Sequence, residues 1–183
     1  KVAKDFLMIP SVRDIKILDK ALQVRGDKIL LSSMVHIGNL KELSVKCHKA
    51  NKEVIVNHEL VGGLGNDGIA FEMLKNMYKV DIVIGSNPIY INRAKSVGMK
   101  AILKVALMDS MSIDVALKMI SNVSPETIEL RPAICALQYF DLFKRNYKGK
   151  IFAGGFIDHA ALLDKIFSTG FDGVKTKKKS LWK

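Results

Sequence analysis

The 183-residue chain carries 29 Lys and Arg against 18 Asp and Glu, a net charge of +11, with 49% hydrophobic and 26% charged residues. That balance excludes a disordered tail, a collagen-like chain and a low-complexity chain, and the length suits one well-buried core, so a single domain over 1–183 is expected. The longest apolar run, Ala133 to Leu137, falls far short of the roughly 18 residues that cross a bilayer, and the segment around Lys1, Lys4 and Asp5 lacks a signal peptide's apolar core; a cytoplasmic protein with no membrane partner is expected. The surplus of cations draws anions such as phosphorylated metabolites or nucleic acid. The two cysteines, Cys47 and Cys135, have neither metal-ligand spacing nor disulfide-scaffold density, which points to inert thiols in a reducing compartment.

In chain order, short apolar segments recur at Phe6–Ile9, Ile29–Leu31, Val54–Val56, Ile82–Ile84, Ala101–Leu103, Thr127–Leu130, Ile151–Ala153 and Gly173–Val174. Each is too short for a helix and is followed by polar or turn residues, as expected of strands buried on both faces of a parallel sheet. Helical apolar faces lie between them: Ile15, Leu18 and Leu22; Ile113, Leu117 and Ile120; Leu162, Leu163, Ile166 and Phe167. Ser112 and Asp158 are expected N-caps, Asp109 and Ser110 are expected to begin or cap the helix after Lys104 rather than react, and Gly26, Gly98 and Gly170 are expected left-handed helix ends. Eight strand–helix units at about 23 residues each fall below the usual size of a (β/α)8 TIM barrel but suffice with short loops. An α/β fold of that compact kind is therefore predicted. The competitor, an open doubly wound sheet, needs a reversal of strand order that a sequence does not reveal.

In a barrel, the residues just after each strand converge on one mouth. Here they include Ser11 and Arg13, Ser33 and His36, Asn57 and Glu59, Gly85 and Ser86, Lys104 and Asp109, Glu129 and Arg131, Gly154 and Gly155, and Thr176 and Lys177. Lysines 28, 52, 79, 100, 148 and 150 lead into strands and would make the opposite rim basic. The strongest local signal is Gly154-Gly155 at the end of the seventh strand. Backbone N–H groups there can approach an anion without interference from a Cβ, and Thr176, Lys177 and a short terminal helix around Trp182 lie one strand further on. Simple tight packing of the two glycines is the competing explanation. Lys104 and Glu129 end consecutive strands and can meet either as a polyol-binding pair or as a structural salt bridge.

His36, His58 and Glu59 are spaced poorly for a metal, and none is expected; no other cofactor is implied either. Gly62-Gly63-Leu64-Gly65 lacks the Lys-Ser/Thr of a phosphate loop and reads as a connection. Lys177, Lys178 and Lys179 form either a solvated face or a contact for nucleic-acid phosphates, with Tyr147 and Trp182 the only obvious aromatic candidates for base stacking.

Along nearly its whole length the chain resembles the glycerol-3-phosphate-responsive antiterminator family. The matching stretches are Ile9-Pro10-Ser11-Val12-Arg13, Glu59-Leu60-Val61-Gly62-Gly63-Leu64, Leu107-Met108-Asp109-Ser110, Thr127-Ile128-Glu129, Ile151 to Ile157 and Leu181-Trp182. The resemblance implies a non-enzymatic barrel that senses glycerol 3-phosphate or a related phosphorylated molecule and binds leader messenger RNA to promote antitermination of glycerol-use genes. A homo-oligomer is left open. By matching position, Gly154, Gly155 and Thr176 would hold phosphate. Lys104 stands where the family has arginine, Asn57 and Glu59 stand where it has a histidine and an aspartate, and Glu129 keeps its acid. Arg13 and Lys177 complete the expected ligand set, and Lys177, Lys178 and Lys179 the expected RNA contact. Lys175 and Lys177 flank Thr176 where the family has small hydroxyl residues, and Arg131-Pro132-Ala133 replaces Leu-Pro-Gly. The rival is a barrel enzyme acting on a small phosphorylated substrate, with Glu129, Glu59 or Asp109 as acid or base and Lys104 as electrostatic stabiliser.

Overall fold

The computed structural model describes residues 6–182; Lys1, Lys4 and Asp5, used above to read the amino-terminal segment, lie outside them. Eight strands form one closed parallel barrel in sequence order: β1 (Leu7–Val12), β2 (Lys28–Leu31), β3 (Glu53–Val56), β4 (Ile82–Gly85), β5 (Lys100–Ala106), β6 (Thr127–Arg131), β7 (Lys150–Gly154) and β8 (Gly173–Thr176). Closure is made by β1 on β8, with Leu7 opposite Gly173 and Pro10 opposite Thr176. Seven helices cover the outside: α1 (Leu18–Leu22), α2 (Leu40–Lys49), α3 (Gly68–Asn76), α4 (Pro88–Ser96), α5 (Ser110–Val123), α6 (Ala133–Asn146) and α7 (Ala160–Thr169). The fold is a TIM barrel, and the absence of any strand-order reversal removes the doubly wound alternative.

Strand parity divides the core in two. Ile9, Leu30, Ile55, Ile82, Ile84, Ile102 and Phe152 point inward and pack together inside the barrel. Residues of the other parity, such as Val54, Val56, Leu103, Ile128 and Ile151, join the helix faces in a larger outer layer. Burying both faces explains why the strands read as continuous apolar runs. On β8 the inward position is Gly173, where a Cβ would press on Leu7 and the Phe152 ring, so the glycine leaves Phe152 room to fill the barrel.

The helices follow the predicted faces with local differences. Ile113 and Ile120 are buried with Leu117 packed partly against them, and burying each such side chain contributes about 2 kcal/mol. The first segment is split, however: a 3-10 turn covers Ile15–Ile17 before α1, and Ile15 is 54% exposed. Phe167 also stands 52% exposed, its ring edge-on to Phe6 instead of under α7.

Gly98 and Gly170 take positive φ at the ends of α4 and α7 as expected; Gly26 also has a positive φ but lies beyond α1, which ends at the right-handed Gln23. The N-caps differ. Of the candidates at α5, Asp109 and not Ser112 is the cap, with Ser110 the first helical residue: Asp109 Oδ1 accepts from Ser112 N at 2.7 Å while Ser112 Oγ accepts from Asp109 N at 3.0 Å, a reciprocal capping box. His159, not Asp158, is the N-cap of α7, and Asp158 hydrogen-bonds the His159 ring instead. Cys47 is buried and desolvation pushes its thiol up to about 11, which keeps it protonated and unreactive; Cys135 is half-buried.

Candidate functional site

Inward parity continues from the apolar interior into the carboxyl-terminal mouth of the barrel. Two residues beyond Ile102, Thr127, Phe152 and Gly173 come Lys104, Glu129, Gly154 and Lys175, and Arg131 follows Glu129 on the same face. Glu129, 1% exposed, holds Lys175 Nζ at 2.8 Å through Oε2. These residues sit on β6 and β8, with β7 between them. The strand between contributes Gly154, in register with Lys175, and a Cβ on that glycine would collide with the Glu129 carboxyl. Without a side chain at that point the carboxylate and the ammonium meet over β7.

The sequence suggested Lys104 as the partner of Glu129. The two are register neighbours on β5 and β6, but the ion pair goes to Lys175, because Gly154 opens the path on that side. Lys104 is half-buried and has neither an ion-pair nor a hydrogen-bond partner among the described residues, and the same holds for the half-buried Arg131 side chain. Desolvation holds the Lys104 ammonium below its ordinary pKa, the nearby cations Lys175 and Arg131 lower it further, and Glu129 and Glu59 pull the other way. Neither Glu129 oxygen has a hydrogen-bond partner among the described residues, Oε2 meeting Lys175 as an ion pair only. A buried acceptor in that state, beside two unneutralised cations, is unusual in a folded interior.

Gly155 and Phe156 follow with φ of 81° and 57°, and Gly155 O accepts from Ala133 N at 3.2 Å. Thr176 has the opposite parity from Lys175 and faces outward. Its Oγ1 donates to Ile157 O at 2.7 Å and accepts from Lys178 N at 3.0 Å, while Trp182 Nε1 donates to Thr176 O at 3.0 Å. The hydroxyl proton is thus spent on stitching the loop after β7 to the end of β8. What these loops offer an anion is backbone and lysine. The short terminal helix is a 3-10 turn, Lys179–Leu181, closed by Trp182.

Of the other expected residues, Asn57 caps the 3-10 turn His58–Leu60, its Oδ1 accepting from Glu59 N at 3.1 Å, and Glu59 and Arg13 are exposed at the same end of the barrel. Lys177, Lys178 and Lys179 are exposed beside the mouth. The proposed stacking aromatics are occupied elsewhere: Trp182 and Tyr147 are buried, and Tyr147 OH donates to Pro125 O at 2.8 Å. Phe156, passed over in the sequence, is 81% exposed at the mouth. Lys175 was noted only as a neighbour of Thr176. The signal that finds it is parity, since counting two from Gly173 gives 175 and not 176.

The metal candidates do not converge. His58 lies buried between the Phe71 and Tyr90 rings, 4.8 and 4.2 Å away, and His36 is exposed with Nδ1 accepting from Gly38 N. Among the described residues no group of three His, Cys, Asp or Glu side chains could hold a metal ion. Beyond the N-caps Asp67 and Asp109, no acidic residue occupies the first turn of α3 to α7, so the positive helix ends around the mouth stay open to anions; exposed Ile69, Ile89, Met111 and Ile134 occupy their second positions. A cavity of about 360 Å³ opens at the opposite end, over Ile82, Ile102 and Phe152. Lys28 and Lys100 on its rim are both held by Glu53, a structural clamp at the stability end of the barrel.

The model of the family described as "Glycerol-3-phosphate responsive antiterminator" matches residues 8–182. The chain belongs to the glycerol-3-phosphate-responsive antiterminator family. Among solved structures, it is similar to the glycerol uptake operon antiterminator regulatory protein of Listeria monocytogenes, with TM-score 0.86 and 27% identity over 96% of this chain and 94% of that one. An antiterminator-related protein of Thermotoga maritima superposes with TM-score 0.85 at 21% identity, covering 97% and 98% of the two chains. The Escherichia coli protein YgcP is 21% identical over 178 residues, 96% of this chain and 91% of its own. Membership of this regulatory family agrees with the barrel, and no helix among the described residues is long and apolar enough to cross a membrane.

Proposed function

We propose that this family member is a ligand-controlled antiterminator that takes a phosphate ester at the loops after β7 and β8 and binds leader messenger RNA, promoting transcription through a terminator in glycerol-use genes. The observation that carries the reading is the family match over 8–182, together with Gly154 lying in register with Lys175 at the end of β8 and Gly155 directly after it. The phosphate is held by the main chain around Gly155 and by Lys177 and Lys178; Thr176 fixes the geometry of these loops through its bond to Ile157. Glu129 and Lys104 face the rest of the ligand, with Asn57, Glu59 and Arg13 at the rim. No covalent step is needed. Asp109, an acid–base candidate, is committed to its capping box, and Glu129 to Lys175.

The RNA half rests on Lys177, Lys178 and Lys179, exposed in succession, and on Phe156, exposed on the loop that Thr176 ties to them. Cations met by phosphates and an aromatic face met by an unpaired base are what single-stranded RNA recognition uses. A left-handed, non-glycine backbone that holds a large aromatic side chain in water is the kind of local cost that functional loops retain.

The switch is a difference in affinity: a ligand that binds the RNA-competent state tenfold better biases it by about 1.4 kcal/mol. Leader RNA retention on the protein, measured with and without glycerol 3-phosphate at two salt concentrations, tests this. Retention that rises with ligand and falls with salt is expected. No retention at either salt concentration removes the RNA half, and turnover of a phosphorylated three-carbon compound would restore the enzyme alternative.

A further inference from the structure

We infer that the mouth selects a phosphorylated hydroxy acid, a ligand carrying a carboxylate as well as a phosphate ester, over the corresponding phosphorylated polyol. The inference rests on the phosphate-ester reading above and names the rest of the molecule held there.

The argument is an account of charge and hydrogen-bonding groups in the mouth. The Lys175 charge is met by Glu129 Oε2 at 2.8 Å. Two cations are left over. Lys104, one strand back on β5, and Arg131, two residues beyond Glu129, are both half-buried and have no ion-pair or hydrogen-bond partner among the described residues. Both face the mouth from adjacent strands, Lys104 in register with Glu129 and Arg131 two residues beyond it; besides Glu129, the exposed Glu59 at the rim also acts on Lys104. A guanidinium and an ammonium converging in a partly desolvated site repel each other until an anion is shared between them, and the planar guanidinium fork matches a carboxylate. A phosphate fixed at the β7 and β8 loops has the main chain, Lys177 and Lys178 for its own charge, so the uncompensated pair belongs to a second anionic group.

The remaining atom is Glu129 Oε1. Neither Glu129 oxygen accepts a hydrogen bond among the described residues, Oε2 meeting Lys175 as an ion pair only; Oε1 is buried against Gly154 of β7, and Glu129 itself stands on the strand next to Lys104 of β5. An unfilled carboxylate oxygen there calls for a hydroxyl donor. Phosphate, hydroxyl and carboxylate on successive carbons satisfy the three places in order. A phosphorylated polyol satisfies only the first two and leaves Lys104 and Arg131 facing a neutral hydroxymethyl group.

The test compares 3-phosphoglycerate with glycerol 3-phosphate, which differ in one carboxylate against one hydroxymethyl, by calorimetric titration of the full chain, with inorganic phosphate as a third probe. At least tenfold tighter binding of 3-phosphoglycerate is expected in wild type, with that preference lost in Lys104→Met and in Arg131→Met. Melting of each variant without ligand establishes that it is folded. Glycerol 3-phosphate binding as tightly as, or more tightly than, 3-phosphoglycerate overturns the inference and leaves the phosphate-ester reading standing. The same holds if both variants keep the preference. Failure of all three probes to bind removes the phosphate site and the inference together.

Discussion

Glu129 and Lys175 form a buried ion pair across an intervening strand, and the missing side chain of Gly154 is the space through which they meet. The double glycine proposed to admit an anion to the backbone therefore also has a packing role in this chain. Gly154 makes room for the pair, and Gly155 turns the chain toward Ala133 with a positive φ.

Gly154→Ala places a methyl group against the Glu129 carboxyl and is expected to cost about 1–3 kcal/mol in urea unfolding, the range for overpacking a tight interior. Gly155→Ala has more space, its nearest heavy atom being Pro132 Cα at 3.4 Å, but carries the left-handed backbone penalty of about 1 kcal/mol. The Gly154 variant should weaken phosphate-ester binding as well, because it displaces Glu129. Equal unfolding midpoints for wild type and Gly154→Ala would contradict the crowding described here.

Lys175→Met removes one member of the pair and strands a buried carboxylate, which typically costs about 3–5 kcal/mol. Replacing both charges, in Glu129→Leu with Lys175→Met, should recover most of that loss, since an apolar pair of similar volume carries no desolvation penalty. A double-mutant cycle read by urea unfolding measures the coupling.

Two acid limbs are expected in the pH dependence of stability. Burial between Phe71 and Tyr90 depresses the His58 pKa below its ordinary 6.5, so the unfolded chain binds the extra proton; the stability tied to neutral His58 is full above about 6.5 and is lost as pH falls through the lower folded value. Burial raises the Glu53 pKa, but hydrogen bonds from Lys100 and Lys28 outweigh that and hold it below 4.5, so its contribution disappears at still lower pH. For Lys28, desolvation lowers the pKa while Glu53 and Asp27 raise it further, so that contribution is lost only as pH climbs through a value above 10.5. Melting temperature followed against pH should lose its first limb in His58→Leu and its second in Glu53→Gln.

Asp109→Ala should lower stability by about 1 kcal/mol, the usual value of an N-cap, and leave phosphate-ester affinity unchanged. Thermal melting and calorimetric titration read the two effects separately. A fall in affinity without a fall in stability would return Asp109 to the site.

Much of the barrel was legible along the chain because a parallel strand buried on both faces leaves a short apolar run with turn residues behind it, and Gly98 and Gly170 mark helix ends by a backbone need that only local geometry imposes. Two local details go beyond the pattern: Ile15 has the spacing of the Leu18 face but lies in a separate 3-10 turn before α1 and stays exposed, and of the cap candidates Asp109, Ser110 and Ser112 it is Asp109 that caps α5, with Ser112 the other half of its capping box.

The amino-acid sequence by itself determined the alternation of strands and helices, the surplus of positive charge and the glycine pair at the end of β7, because each depends on residue type and local spacing. Only the closed barrel decided that Glu129 pairs with Lys175 and leaves Lys104 and Arg131 unmatched, that Thr176 turns outward, and that Phe156 stands in water while Tyr147 and Trp182 do not. Which side chains share the mouth depends on strand parity and register around a closed ring, and a single step in parity exchanges the inside of the barrel for the outside.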